Sequence, residues 1–190
     1  MHCYFKLYKP YGYISQFITN DTHAKRKKFL GDLYDFPEGS MAIGRLDEPS
    51  EGLLLITTNG KYSIHINKGK IEKEYYAQVD GKITQSAIEQ LRRGVTITVE
   101  KENYTTKKSK VNALTETPHL PERAKKIRDE RHGPTSWVSI TVTEGKFRQI
   151  RKMTAAVGFP TLRLVRVRIG NYKIENLKAG EIREIHDVRF

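Results

Sequence analysis

"GRLDEPSEGLLLITTNG" (residues 44–60) joins two unlike halves, with Arg45, Asp47, Glu48 and Glu51 standing directly against Leu53, Leu54, Leu55 and Ile56. Consecutive apolar residues closed by Asn59-Gly60 read as a buried strand ending in a turn, and Asn59 is a candidate N-cap for a short helix over 61–66. Charges crowded at the mouth of a buried strand suit a functional loop, because the strand anchors the loop rigidly.

The segments around it predict an α+β chain. "CYFKLY" (3–8) and "YGYISQF" (11–17) read as strands about the turn "KPYG", which predicts a hairpin. "KIEKEYYAQVDG" (70–81) alternates as a half-exposed strand, and "TQSAIEQLRRG" (84–94) is a helix capped by Thr84 and stopped at Gly94. "VTITVE" (95–100) and "SKVNALTE" (109–116) follow as strands. Residues 117–136 carry three prolines, many basic residues and little apolar content, and are expected to be a loop that orders on binding. Further on, "WVSITVTEG" (137–145) is a strand and "KFRQIRKMTAAVG" (146–158) a helix closed by Gly158. "TLRLVRVRIG" (161–170) is a strand alternating Leu or Val with Arg. In the helix, Phe147, Ile150, Thr154 and Val157 recur at core-facing offsets, and Arg148, Arg151 and Lys152 border that face as a basic ridge.

Composition narrows the partner. In 190 residues, 34 Lys and Arg outnumber 22 Asp and Glu, a net charge of +12, which favours a polyanion, with nucleic acid ahead of an acidic membrane surface. One cysteine, Cys3, permits no internal disulfide and agrees with a reducing compartment. No apolar run approaches the roughly 20 residues that span a bilayer, and no signal-peptide core is evident, so a cytoplasmic protein is expected.

The common cofactor chemistries find no footing. Neither a P-loop nor a G-x-G-x-x-G fingerprint occurs, and the six histidines share no metal-ligand spacing. Asp47 and Glu51 have the look of a glycosidase carboxylate pair, but Pro49 between them disfavours a helix that would align them. A single carboxylate, Asp47, is left in a polar turn with Arg45 two residues before it.

At this point the residues resemble a known family, the RsuA-like branch of RNA pseudouridine synthases. "GRLDEPSEGLLLITTNG" is similar to its catalytic-aspartate motif, with Asp47 in the aspartate position of "GRLD". "KPYG" (9–12) resembles its first motif, "KEY" (73–75) its Lys-x-Tyr strand, and "EGKFRQIRKMTAAVGFPTLRLVRVRIG" (144–170) its third. Most of the branch carries an N-terminal S4 RNA-binding domain, whereas this sequence opens on the first catalytic strand. With "PTSW" (134–137), that narrows the resemblance to the E-type large-subunit subgroup, which modifies one uridine of 23S rRNA near the peptidyl-transferase centre.

The resemblance implies one catalytic domain over 1–190, without an S4 domain. Its fold would be a mixed, mostly antiparallel sheet in two lobes flanked by helices, with a central cleft holding Asp47. The implied activity is isomerisation of a uridine, requiring neither cofactor nor metal. Asp47 is implied as the essential carboxylate, Arg151 as its salt-bridge partner and Tyr75, not Tyr76, as the aromatic that stacks on the base. Arg45 is implied to fill the gap left by a flipped uridine. Lys9, Lys73, Arg148, Lys152 and Arg166 are expected RNA contacts, although Lys9 with Pro10 also suits simple turn geometry. The basic clusters 24–28, 107–110 and 123–128 are expected to touch phosphates, and deleting residues 122–131 to weaken RNA binding while sparing the fold. The implied partner is 23S rRNA or an assembling large subunit, met by a monomer. Two other readings stay open, the same chemistry on 16S rRNA or tRNA, and a non-catalytic assembly factor.

Overall fold

The apolar run 53–56 becomes the middle of strand β5 (Glu51–Thr57), all of whose residues are buried. The structure is a computed structural model, and it describes residues 2–18, 26–68 and 70–186. These divide into two compact units, one from 1–71, 121–125 and 166–190, the other from 72–120 and 126–165. Ala24 and Lys25 of the basic cluster 24–28 lie outside the described residues.

In the first unit β5 lies antiparallel to β1 (Tyr4–Lys9), with Leu7 opposite Leu54 and Lys9 opposite Gly52. β2 (Tyr13–Ile14) and β3 (Lys28–Phe29) form a separate parallel pair. β4 (Met41–Ile43) also runs antiparallel to β5, and α1 (Gly60–Lys68) follows it, its Tyr62 N–H donating to Asn59 Oδ1 at 3.3 Å as the cap pattern predicts. Phe5, Leu7, Leu30, Leu54 and Ile56 form the core, with Phe17 and Phe36 packed against it.

The predicted hairpin of 3–8 with 11–17 does not form. β1 is occupied on both edges, by β5 and by β13 (Ile182–Glu184), so it offers no ladder to β2. Gly12, at φ 85°, donates its N–H instead to Glu48 O at 2.9 Å. The "KPYG" turn thereby fastens to the 44–50 loop.

In the second unit β6 (Lys73–Asp80) pairs antiparallel with β10 (Thr135–Val142), and β10 with β9 (Lys110–Leu114). α2 (Gln85–Arg93) and α3 (Gln149–Ala156) cover a core that includes Ala77, Val79, Leu91, Val138, Ile140, Ile150 and Met153. β7 (Thr96–Val99) and β8 (Glu102–Thr105) make a hairpin, and β8 was invisible to pattern because its turn, Glu100-Lys101, adopts φ 52° and 71° without Gly or Asn. β11 (Thr161–Ile169) runs from this unit into the first, where Arg168 and Ile169 pair with β12 (Tyr172–Lys173). The architecture is α+β, and every pairing named here is antiparallel except β2 with β3.

Thr84 caps α2 as expected, accepting from Ala87 N–H at 3.2 Å. Thr84→Ala is expected to lower stability by about 1 kcal/mol in urea unfolding, and an unshifted midpoint would refute the cap's contribution.

Two other expectations are corrected. α3 begins at Gln149, not Lys146, because Arg148 sits in the left-handed region at φ 53° and the Gln149 side chain bridges Lys146 N–H and Glu144 Oε1 at 3.0 and 2.6 Å. Phe147 consequently lies outside the helix and is 66% exposed rather than core-facing. The 117–136 loop is held to the fold without RNA, since Arg123 pairs with Glu51, and Arg128 with both carboxylate oxygens of Asp80. Deleting 122–131 would strip both pairs and so would cost stability as well as positive charge. Among the described residues no helix is long and apolar enough to cross a membrane.

Candidate active site

Between β4 and β5 the backbone of 44–50 is pinned residue by residue. Leu46 is buried, and the Ser15 hydroxyl both accepts from its N–H at 3.0 Å and donates to its carbonyl at 2.8 Å. Glu48 O accepts from Gly12 N–H and from Lys9 Nζ, the latter at 3.4 Å, while Ser50 N–H donates to Asp47 O at 2.9 Å. With Leu46 turned inward, the neighbours differ: Arg45 is exposed and Asp47 half-buried. The loop starts at Gly44, whose φ of 70° is left-handed, and a Cβ there would meet Asn67 Oδ1 at 3.5 Å. Gly44→Ala is expected to cost about 1–2 kcal/mol, read by denaturant midpoint, and a neutral result would show that the loop is not held in this conformation.

Lys9 is fully buried, and its ammonium donates to Pro10 O at 3.0 Å and Tyr13 O at 2.5 Å as well as to Glu48 O. Burial lowers its pKa to about 7, reinforced by the Arg166 charge and opposed by Glu51, Glu48 and Asp47. Arg166 is 3% exposed and donates from Nε to Leu53 O at 2.7 Å. The expectation that Lys9 and Arg166 touch RNA is therefore corrected: both side chains are buried, so a backbone phosphate has no access to either charge. Both underlie the Asp47 loop instead.

Glu51 is equally buried, and its Oε2 pairs with Arg123 Nε at 3.1 Å. The guanidinium also lies 4.1 Å from the centre of the Tyr11 ring. An inward carboxylate held this way is closed to substrate, so the glycosidase pairing of Asp47 with Glu51 has no structural basis.

The second unit carries the other expected site residues. Tyr75 lies opposite Ile140 in the β6–β10 ladder and packs against the core cluster that contains Ile150 and Met153, which stand one residue before and two after Arg151 in α3. Tyr75 and α3 thus share one core. Tyr76 alternates to the other face, where burial and then the Glu74 charge raise its hydroxyl pKa. Arg151 is half-buried and its Nη1 reaches Thr161 O at 3.4 Å. Lys73 is half-buried and Arg148 exposed. Lys152 donates to Thr98 O at 2.6 Å with its ammonium 5.3 Å from the Phe147 ring. Among the described residues no group of three or more His, Cys, Asp or Glu is placed to hold a metal ion.

Residues 4–156 match the RNA pseudouridylate synthase family. The chain belongs to that family. It is 40% identical over 179 residues to "Ribosomal large subunit pseudouridine synthase E" of Vibrio vulnificus, covering 93% of this chain and 72% of that one. A protein of the same description from Xanthomonas campestris is 38% identical over 96% of this chain and 95% of its own length. Among solved structures, one described as a pseudouridylate synthase superposes with a TM-score of 0.74 at 26% identity, covering 97% of this chain and 70% of that chain.

A pseudouridylate synthase is an isomerase, and its task explains the investment in loop rigidity. A side chain on a backbone fixed in this way is held in one place, which is what a reacting group in an active site needs. The inward contacts around this loop and strand, made by Ser15, Glu51, Arg123 and Arg166, were not legible in the sequence. Glu51 did leave a trace, since a charge opening an otherwise apolar strand implies a buried counter-ion; Arg123, 72 residues away, left none.

Proposed function

We propose that this pseudouridylate synthase converts a uridine of 23S rRNA near the peptidyl-transferase centre to pseudouridine, acting as a cytoplasmic monomer. The observation that carries the target is the similarity, over nearly the full chain, to synthases described as large-subunit enzymes. In this reading Asp47 is the essential carboxylate, attacking C1′ or removing the 2′ proton. The N1–C1′ bond breaks, the base rotates and C5 bonds to C1′, after which the C5 proton leaves and N1 regains one. The atoms of the product are those of the substrate.

Tyr75 offers a flat face for the uracil and a hydroxyl suited to taking the C5 proton, and Arg151 supplies the positive charge for Asp47. Exposed Arg45 fills the vacated stack, offsetting part of an extrusion cost of a few kcal/mol. Lys73, Arg148 and Lys152 engage phosphates. We read 1–190 as one catalytic domain.

Because the C5 hydrogen is lost to water, tritium release reports the reaction directly. Transcripts of 23S rRNA, 16S rRNA and tRNA made with 5-tritiated uridine are incubated with the protein, with 23S expected to release at most one equivalent. Release from 16S rRNA or tRNA alone would move the target. No release from any RNA, free or in subunits, would leave the assembly-factor reading.

A further inference from the structure

We infer that Arg123 is a positioning residue for the Asp47 loop, clamping the 9–12 turn and the loop's downstream end together through Tyr11 and Glu51; the inference rests on the reaction proposed above.

Arg123 lies in a segment whose sequence reads as a basic, RNA-facing loop, yet its side chain is only 10% exposed and that of Glu51 2%. It makes three directed contacts: Nε to Glu51 Oε2 at 3.1 Å, Nη1 to Lys125 O at 2.8 Å, and its central guanidinium carbon over the Tyr11 ring, 4.1 Å from the ring centre. Arginine's rigid fork and planar, weakly hydrated charge suit this combination of carboxylate and aromatic partners.

The contacts fall at the two ends of one construction. Glu51 is the first residue of β5 and follows Ser50, whose N–H closes the turn onto Asp47 O. Tyr11 precedes Gly12, whose N–H holds Glu48 O, and lies two residues after Lys9, whose ammonium reaches the same carbonyl. A single guanidinium therefore joins both segments that set the backbone at Asp47. It also neutralises Glu51 close to the buried Lys9, whose other charged neighbours are Glu48, Asp47 and Arg166.

Arg123→Ala, Arg123→Lys and Tyr11→Leu are compared with the full-length wild type by amide hydrogen exchange over residues 9–14 and 44–52 and by kcat and KM on 23S transcript. Arg123→Ala is expected to lose protection in both segments and to lower kcat at least about tenfold while KM stays within about twofold. Arg123→Lys restores the charge but not the fork or the stack, and should recover only part of kcat. If Arg123→Ala does not fold, Tyr11→Leu must show the same loss of protection to a smaller degree. Unchanged exchange in both segments overturns the inference whatever the activity, and so does a raised KM at unchanged kcat, which would make Arg123 an RNA contact. A wild type inactive on every RNA would refute the proposed reaction, while the exchange data would still decide whether Arg123 orders the loop.

Discussion

Asp47→Asn is expected to abolish tritium release, lowering turnover by at least about 10³-fold, the scale on which removing a reacting group acts. Asparagine keeps the size of the side chain but provides neither a nucleophile for C1′ nor a base for the 2′ proton. The substitution should leave the loop's backbone in place, because these bonds on it do not use the Asp47 side chain: Ser15 at Leu46, Gly12 and Lys9 at Glu48, and Ser50 N–H on Asp47 O. Unchanged urea midpoint and RNA affinity beside lost release would locate the defect in chemistry. Appreciable release by the variant would remove Asp47 from the reaction.

Lys9 is expected to make stability climb with pH where most proteins level off. Its pKa falls from 10.5 to about 7 on folding, chiefly through burial. Between those values the unfolded chain binds a proton at Lys9 that the folded protein does not, so the unfolded state holds more protons and unfolding free energy rises with pH. The slope is about 1.4 kcal/mol per pH unit, on the order of 4–5 kcal/mol across the whole window. Below about pH 7 both states carry the proton and the slope vanishes. Other titrations cancel on comparison with Lys9→Met, so the stability advantage of wild type over that variant should grow by about 2 kcal/mol from pH 7 to 9 in urea unfolding, since the folded-state group is already half deprotonated at pH 7. Parallel stability curves would mean that the buried ammonium keeps its ordinary affinity for protons. At any pH the variant leaves Pro10 O and Tyr13 O without the Lys9 donor, which adds a pH-independent loss.

Where local pattern and tertiary demand agree, the fold follows the sequence pattern. β5, α2 with its Thr84 cap and the Asn59 cap of α1 all follow from side chains acting on their own turn or strand. The misses lie where a partner far along the chain decides. The 3–17 hairpin failed because β13, from the other end of the chain, takes the free edge of β1. β8 escaped because Glu100 and Lys101 accept a left-handed turn for which neither has the intrinsic preference. Helical spacing points Phe147 inward, but the Gln149 side chain, bonded to Glu144 and Lys146, starts the helix two residues after it.

The candidate site divides along the same line. The sequence by itself determined the Asp47 loop and the strand behind it, the family and the excess of positive charge, because the first three are written in contiguous motifs whose chemistry is local and the last is a sum over the chain. Only the tertiary structure decided which cations are turned inward to partners within the protein. Lys9, Arg123 and Arg166 are indistinguishable by composition from solvated basic residues. Each is drawn inward by acceptors that folding brings to it: the carbonyls of Tyr13 and Glu48, the Glu51 carboxylate, and a Leu53 carbonyl 113 residues from Arg166. A charge leaves water only where such partners are already gathered, and gathering them is the work of the whole fold.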